Sequence, residues 1–402
     1  MDLRRAAVTR EGNSGGSFLR QRFVIWFGLV ALGPGLALGC SPAAQPTSSA
    51  TPEVVALPTT TIPTSAAGST VSPSVPPLSA TPPVSASANP TLGANSIPAT
   101  PASTAGLPFT GTLLIADAGN NRLLEVTVDK RIVWTFPVTD SLPATRTFRY
   151  PDDAFFSPDG RYISVNEESN HVVSVIDYAT RRLVWQFGYP GRPGSDLQHL
   201  NTPDDAHLLR DGRVAVADIK NCRIMIISWD QKDVKSIGTP RDCSGKPGSL
   251  NSPNGVTPLP NGHLLVTEIH THRVSEIDLE GRVVRAVVAP LTYPSDAFLT
   301  GRDTIVLAEY KVPGKVIELD WSGKVLWSFP PAGSHETLNR TSIAIELPNG
   351  NIVIADDHQH RVIVVDRSGQ VVWQYGVTGK PGKAPGYLNI PDGFDWHPAG
   401  AP

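Results

Sequence analysis

From about residue 109 onward, apolar and polar residues alternate in short runs, and each run is closed by a turn rich in Gly, Pro, Asn or Asp. Period-two alternation with such punctuation predicts half-buried β-strands joined by tight turns. One stretch shows the unit clearly. Residues 342–347 form a first strand, Pro348-Asn349-Gly350-Asn351 a turn of the Asn-Gly kind, residues 352–355 a second strand and residues 362–365 a third. Asp366-Arg367-Ser368-Gly369 then turns the chain into a fourth strand at 371–375.

The unit recurs along the chain. Its first marker is Pro-Asp-Asp-Ala at 151–154 and 203–206, varied as Pro-Asn-Gly-Val (253–256), Pro-Ser-Asp-Ala (294–297), Arg-Thr-Ser-Ile (340–343) and Pro-Asp-Gly-Phe (391–394). The second is a basic residue leading into an aliphatic one: Arg122-Leu123, His171-Val172, Arg223-Ile224, Arg273-Val274, Lys315-Val316 and Arg361-Val362. Repeats of about 40 to 50 residues are the spacing of propeller blades. The repeating part opens on strands two to four (113–136) without a strand one, and it ends at 392–396 on a strand one without followers. Joining the two ends completes a sixth sheet. The expectation is therefore an all-β, six-bladed β-propeller with four antiparallel strands per blade, closed by pairing of N- and C-terminal strands in one blade. Trp134, Trp185, Trp327 and Trp373 fall on outermost strands, where they are expected to fill the space between blades.

Ahead of the repeats the pattern changes twice. Residues 23–38 are an apolar run preceded by Arg20 and Arg22 and followed by Gly39-Cys40. The run has the length of a signal-peptide core and is short for a membrane span. Leu36-Ala37-Leu38-Gly39-Cys40 resembles a bacterial lipobox, in which Cys40 is lipidated and becomes the mature N-terminus. An uncleaved anchor with an incidental cysteine is the alternative. Residues 41–108 are almost wholly Pro, Ser, Thr, Ala and Val with one charge, Glu53. Such a composition cannot offset the entropy of ordering and predicts a disordered tether. As a coil it spans roughly 45 Å, and it could reach about 200 Å as extended polyproline. The expected division is a lipoprotein signal peptide (1–40), a tether (41–108) that permits O-glycosylation, and the propeller (109–402). The protein is then exported and held on the membrane, facing the extracytoplasmic side.

Net charge is −3 for the whole chain; the basic leader contributes +3 and the tether −1, which leaves the propeller at −5. No basic stripe is present, so nucleic acid is excluded as the main partner.

Asp117-Ala118-Gly119-Asn120-Asn121-Arg122-Leu123, together with Gly/Pro-rich linkers ending in Leu-Asn-x-Pro, resembles the NHL repeat over nearly all of 109–397. Val-Trp-x-Phe on the outer strands is also similar to arylsulfotransferase-like and PQQ-binding-like propellers. The arylsulfotransferase pattern implies a His before the strand-one Asp, where this chain has Pro151, Pro203 and Pro391. PQQ dehydrogenases imply eight blades and a vicinal cysteine pair, which the sequence lacks. Calcium-dependent lactonase-type propellers share the blade number, without a residue-by-residue match of ligands.

The topology puts the start of strand one and the loop after strand two on one rim. That rim gathers Asp152, Asp153, Asp204, Asp205, Asn254, Asp296 and Asp392, with Asp117, Asp218, Glu268, Asp356 and Asp357 around them. Asp153, Asp205, Asn254, Asp296 and Asp392 are candidate ligands for Ca²⁺, which prefers oxygen donors. The alternative is that each acid caps a turn or pairs with the Arg of its own repeat, as Asp117 with Arg122 and Asp218 with Arg223. His270-Thr271-His272-Arg273 and His358-Gln359-His360-Arg361 occupy one loop position in two blades that are not neighbours. Alternating imidazoles suit Zn²⁺ or general acid/base work. His270, His272, His358, His360, Glu268 and Asp356 are accordingly catalytic candidates, against a reading as solvated loop residues. Cys222 and Cys243 share a face in an export compartment and are expected to form a disulfide. The function these features support is a lipid-anchored binding or interaction module for an envelope protein, peptide or glycan. The alternative is a propeller enzyme, arylsulfotransferase-like, lactonase-like or a lyase, using a metal or His-based site at the channel mouth.

Overall fold

The computed structural model describes residues 106–400, so the expected signal peptide, Cys40 and nearly all of the tether lie outside the described residues. Six sheets of four antiparallel strands make a closed six-bladed β-propeller, as the repeats predict. Blade 1 comprises Pro151–Phe156, Tyr162–Glu167, Val172–Asp177 and Arg182–Phe187, from the channel outward. Blades 2 to 5 follow in chain order, beginning at Pro203, Pro253, Pro294 and Ala344. Blade 6 is the composite: Pro391–His397 supplies its inner strand and pairs with Thr112–Asp117, followed by Arg122–Thr127 and Ile132–Phe136. Among the described residues no helix is long and apolar enough to cross a membrane.

The fifth marker needs a correction. In five blades a loop N–H two residues before strand one is captured by the acid at the end of strand two, and the corresponding donor in blade 5 is Asn339. The residue next along is left-handed in five of the blades: Tyr150, Thr202, Ser252, Arg340 and Ile390. Arg340 thus matches Tyr150, and the marker of blade 5 is Thr341-Ser342-Ile343-Ala344, one residue later than expected. Its inner strand is also shorter than predicted, Ala344–Glu346. The polar groups of Ser342 are spent sideways instead, its hydroxyl within reach of the Asp357 carboxylate and the Asp392 carbonyl and its own carbonyl accepting Asp296 N–H at 3.3 Å.

Blades adhere through apolar clusters that mix strands of neighbours. Val173, Val175, Trp185 and Phe187 of blade 1, for example, pack on Ala206, Leu208, Val214 and Val216 of blade 2. The outer-strand tryptophans fill these seams and also bolt them. Each indole N–H donates to a carbonyl in the turn just past strand three of the next blade: Trp134 to Tyr178 (2.9 Å), Trp185 to Trp229 (2.8 Å), Trp327 to Arg367 (3.1 Å) and Trp373 to Val128 (2.7 Å). Blade 2 has Lys235 in this place, and its ammonium donates to the equivalent Leu279 carbonyl at 2.5 Å. Blade 3 has Arg285, whose guanidinium stacks 3.9 Å from the Trp321 ring of blade 4. All six seams are therefore bridged from the same strand position.

Cys222 and Cys243 form the expected disulfide, with Cα atoms 5.3 Å apart.

Two outcomes are expected. A chain ending at Asn389 removes the inner strand of blade 6, and its cooperative melting transition should be lost or fall by more than 15 °C in calorimetry. Trp373→Phe keeps most of the ring but deletes one bridging hydrogen bond, worth about 1 kcal/mol. Its melting temperature should drop by roughly 2 °C.

Candidate functional site

The site begins with a structural device. Asp117, Glu167, Asp218, Glu268, Glu309 and Asp356 end the second strands and are buried. One oxygen of each accepts the loop N–H that precedes strand one, from Asn389, Arg149, Asn201, Asn251, Thr292 and Asn339 respectively, at 2.7–2.9 Å. In four blades the Arg at the start of strand three binds the same acid: Arg122, Arg223, Arg273 and Arg361, at 2.5–2.8 Å. Arg223 is fully buried and also donates to the carbonyls of Ser195, Asp196 and His199 in the Gly/Pro-rich linker. Blade 1 has Val172 in place of that Arg, and Arg146 from the linker pairs with Glu167 instead. The pairing of acid and Arg within one repeat is thus present in four blades, while in all six the acid itself fastens the linker ahead of strand one.

Burial raises the carboxyls of Asp117, Asp218 and Glu268, and that of Asp356 to about 6, in spite of these partners. Glu268 and Asp356, both catalytic candidates, are engaged in this way. The histidines beside them are dispersed. His270 is exposed, His358 lies 3.1 Å from an Arg340 nitrogen, and His360 accepts Ile390 N–H through Nδ1 at 3.2 Å. His171 does the same for Thr202 N–H in blade 1, so this left-handed loop position links consecutive elements. Burial lowers the His358 and His360 imidazoles, with Arg340 and His358 respectively adding to the effect. None of the four candidate histidines lines the channel cavity described next.

At the rim where the first strands enter, the channel forms a cavity of about 100 Å³. Its walls include Asp152 and Asp153 of blade 1, Asp204 of blade 2, Asn254 of blade 3, Asp296 of blade 4 and Asp392 of blade 6. Four of the five candidate metal ligands, Asp153, Asn254, Asp296 and Asp392, therefore meet in one place. The fifth, Asp205, stands behind the wall, with Oδ2 accepting Val256 N–H at 2.6 Å and Oδ1 3.2 Å from His207 Nε2. Glycine makes the crowding possible: a Cβ on Gly393 would collide with Asp153, and one on Gly255 would approach Asp296 Oδ1 to 2.6 Å. Two residues further along the same strands, Phe155 and Phe298 approach across the channel with ring centres 6.3 Å apart. Beyond them a second cavity of about 370 Å³ opens on the opposite rim, lined in part by Phe155, His207, Phe298 and Asp395.

The acids of the upper cavity have few compensating groups. Asn166 donates to Asp152 Oδ2 (3.1 Å) and to the carbonyls of Pro203 and Asp204. Oxygen Oδ1 of Asp153, Asn254 and Asp296 finds no N–H or hydroxyl donor. Burial, reinforced by like charge, lifts Asp152, Asp153, Asp204, Asp296 and Asp357 well above the usual carboxylate range. The leading like charge is Asp392 for Asp152 and Asp357, Asp296 for Asp153, Glu168 for Asp204 and Asp205 for Asp296. Among the described residues no three His, Cys, Asp or Glu side chains are arranged to hold a metal ion.

Ser295 and Ser342 of the strand-one markers, Glu168 and three tyrosines, Tyr150, Tyr293 and Tyr310, complete the lining; Glu168 and the tyrosines were not singled out from sequence. Tyr150 and Tyr293 precede the strand-one Pro, while Glu168 and Tyr310 follow the strand-two acid. The signal for them was positional: they flank the repeat markers by one residue.

A family model described as outer membrane protein assembly factor BamB matches residues 169–387, more than half of the chain. The chain belongs to this family of PQQ-like propellers. Among solved structures, the BamB-family propeller is similar to a protein of unknown function from Bacteroides caccae, with 15% identity over 71% of this chain and 98% of that one and a TM-score of 0.50. It is also similar to virginiamycin B lyase from Staphylococcus aureus (17% identity, 58% of this chain, 71% of that one, TM-score 0.41) and to Kuenenia stuttgartiensis hydrazine synthase (19%, 68%, 81%, 0.46). At these identities the similarity concerns the fold.

The acid cavity of this family member has a signed consequence for stability. An acid whose folded pKa is raised binds more protons folded than unfolded, so its contribution falls as pH climbs from the ordinary carboxylate value through the raised one. The ligand-free protein should melt higher at pH 5 than at pH 7. Asp153→Asn removes one like charge without changing shape; it should raise the pH 7 melting temperature by roughly 2 °C or more and narrow the difference between the two pH values.

Proposed function

We propose that this chain is an extracytoplasmic, lipid-anchored binding module that engages a protein partner of the cell envelope at the acidic mouth of its channel. The observation that carries the reading is the cavity at the strand-one rim, where buried carboxylates converge with oxygens left without donors. Desolvated acceptors of this kind are costly unless a partner supplies donors. The family description, an assembly factor of the outer membrane, supports a protein as that partner. Cys40 after an apolar run supports the lipid anchor, and the composition of residues 41–108 supports a tether that gives the propeller reach.

Two measurements check this in cells. Cys40→Ala should lose incorporation of an alkyne-tagged fatty acid that the wild-type chain acquires. Photo-cross-linking of the full-length protein in its own envelope should yield a defined adduct, reduced at least tenfold by Asp152→Asn/Asp204→Asn/Asp392→Asn and unaffected by Asp129→Asn on the outer surface. An adduct indifferent to the triple substitution would move the partner site away from the channel.

A further inference from the structure

We propose that the channel mouth takes a single alkylammonium or guanidinium group end-on, the head group of a Lys or Arg side chain or of a free amine. This rests on the reading that the mouth is the ligand site, and it names what fills it.

Three independent features of the cavity converge on that chemistry. The first is the sign of what is missing. Asp153 Oδ1, Asn254 Oδ1 and Asp296 Oδ1 receive no N–H or hydroxyl donor, Asp153 and Asp296 having only each other's carboxyl to share a proton with; their residues are no more than 5% exposed, and all three line the cavity from different blades. Every unmet need is for a donor. An ammonium brings three N–H donors and no acceptor, and a guanidinium brings five.

The second feature is aromatic. Tyr150, Tyr293 and Tyr310 line the same cavity as the acids, and the rings of Tyr293 and Tyr310 lie 5.5 Å apart at 48°. Ring faces beside carboxylates attract organic cations through the ring quadrupole as well as through charge. The chain already uses this at the rim, where the Arg340 guanidinium stands 6.0 Å from the centre of the Tyr310 ring.

The third is size. A water-sized occupant needs about 10–15 Å³ of comparable volume, whereas this cavity offers about 100 Å³. A head group with several carbons behind it uses that space; a bare ion does not. No three acidic, imidazole or thiol side chains among the described residues are arranged around a metal position, which also favours an organic cation. The aromatic pair Phe155 and Phe298 lies beyond the acids, so the group enters from the mouth and stops there.

The test titrates full-length, amine-free protein with 1,5-diaminopentane, with the peptide Gly-Lys-Gly, with 1-pentanol as the uncharged control and with CaCl₂, reading heat and melting temperature. Saturable binding of the diamine or the peptide at 1:1, with none for pentanol, is expected. Whichever of the two binds more tightly tells a free amine from a peptide-borne side chain. Asp153→Asn/Asp296→Asn should weaken that binding at least tenfold while melting no lower than the parent, which separates lost recognition from lost folding; Asp129→Asn should bind as the parent does. Equal binding by the double variant, equal binding of pentanol, or a response to micromolar CaCl₂ alone would overturn the proposal. If an amine binds yet envelope cross-linking ignores the mouth substitutions, this inference stands and the protein-partner reading falls. If cross-linking depends on the mouth but no amine binds, only this inference falls.

Discussion

Everything at the channel mouth depends on one buried carboxylate, repeated at the end of each second strand, that fastens the incoming linker to its own blade. One oxygen takes a linker N–H ahead of strand one, and in four blades the other takes an Arg. Long loops rich in Gly and Pro carry carbonyls that need donors once buried. Arg223 supplies them to three linker residues while paired with Asp218, so a single buried ion pair orders a segment that has little propensity of its own. A buried pair of this kind is weak as a source of stability but strong as a constraint on geometry. It decides how far strand one begins down the channel, and therefore where Asp152, Asp204 and Asp392 stand.

Two populations of acid follow from this arrangement. The strand-two acids are compensated and serve the fold. The strand-one acids point into a space where the protein provides mostly further acids and tyrosine rings, and their charge is left for something else to meet. The contrast lies in partners more than in burial, since Asp218 and Asp153 are both nearly inaccessible. Around the outside, indole, ammonium and guanidinium groups bridge all six seams from one strand position, which keeps the ring closed against the repulsion gathered at its centre.

Most of the fold was legible because blades repeat: alternation marked the strands, and turn chemistry marked their ends. The composite sixth blade could be read from which strands were missing at each end. The marker of blade 5 was misplaced by one residue because Thr341 stands where the other five blades carry Pro, and its register is set by the Asn339 to Asp356 hydrogen bond and the left-handed Arg340. The paired histidines looked like a site because imidazoles concentrate chemistry. In the folded chain His360 spends a ring nitrogen on a backbone N–H, and the two clusters sit on blades that do not adjoin.

By itself the sequence determined blade number, strand order, the mode of closure, the disulfide partners and the rim on which the acids collect. These follow from periodicity and connectivity, which are properties of the chain read in order. Only the tertiary structure decided which acids are neutralised and which are left facing one another, and it alone brought Tyr150, Glu168, Tyr293 and Tyr310 to the acids. The reason is physical: compensation depends on distances between side chains from blades far apart in sequence, and those distances exist only once the ring has closed.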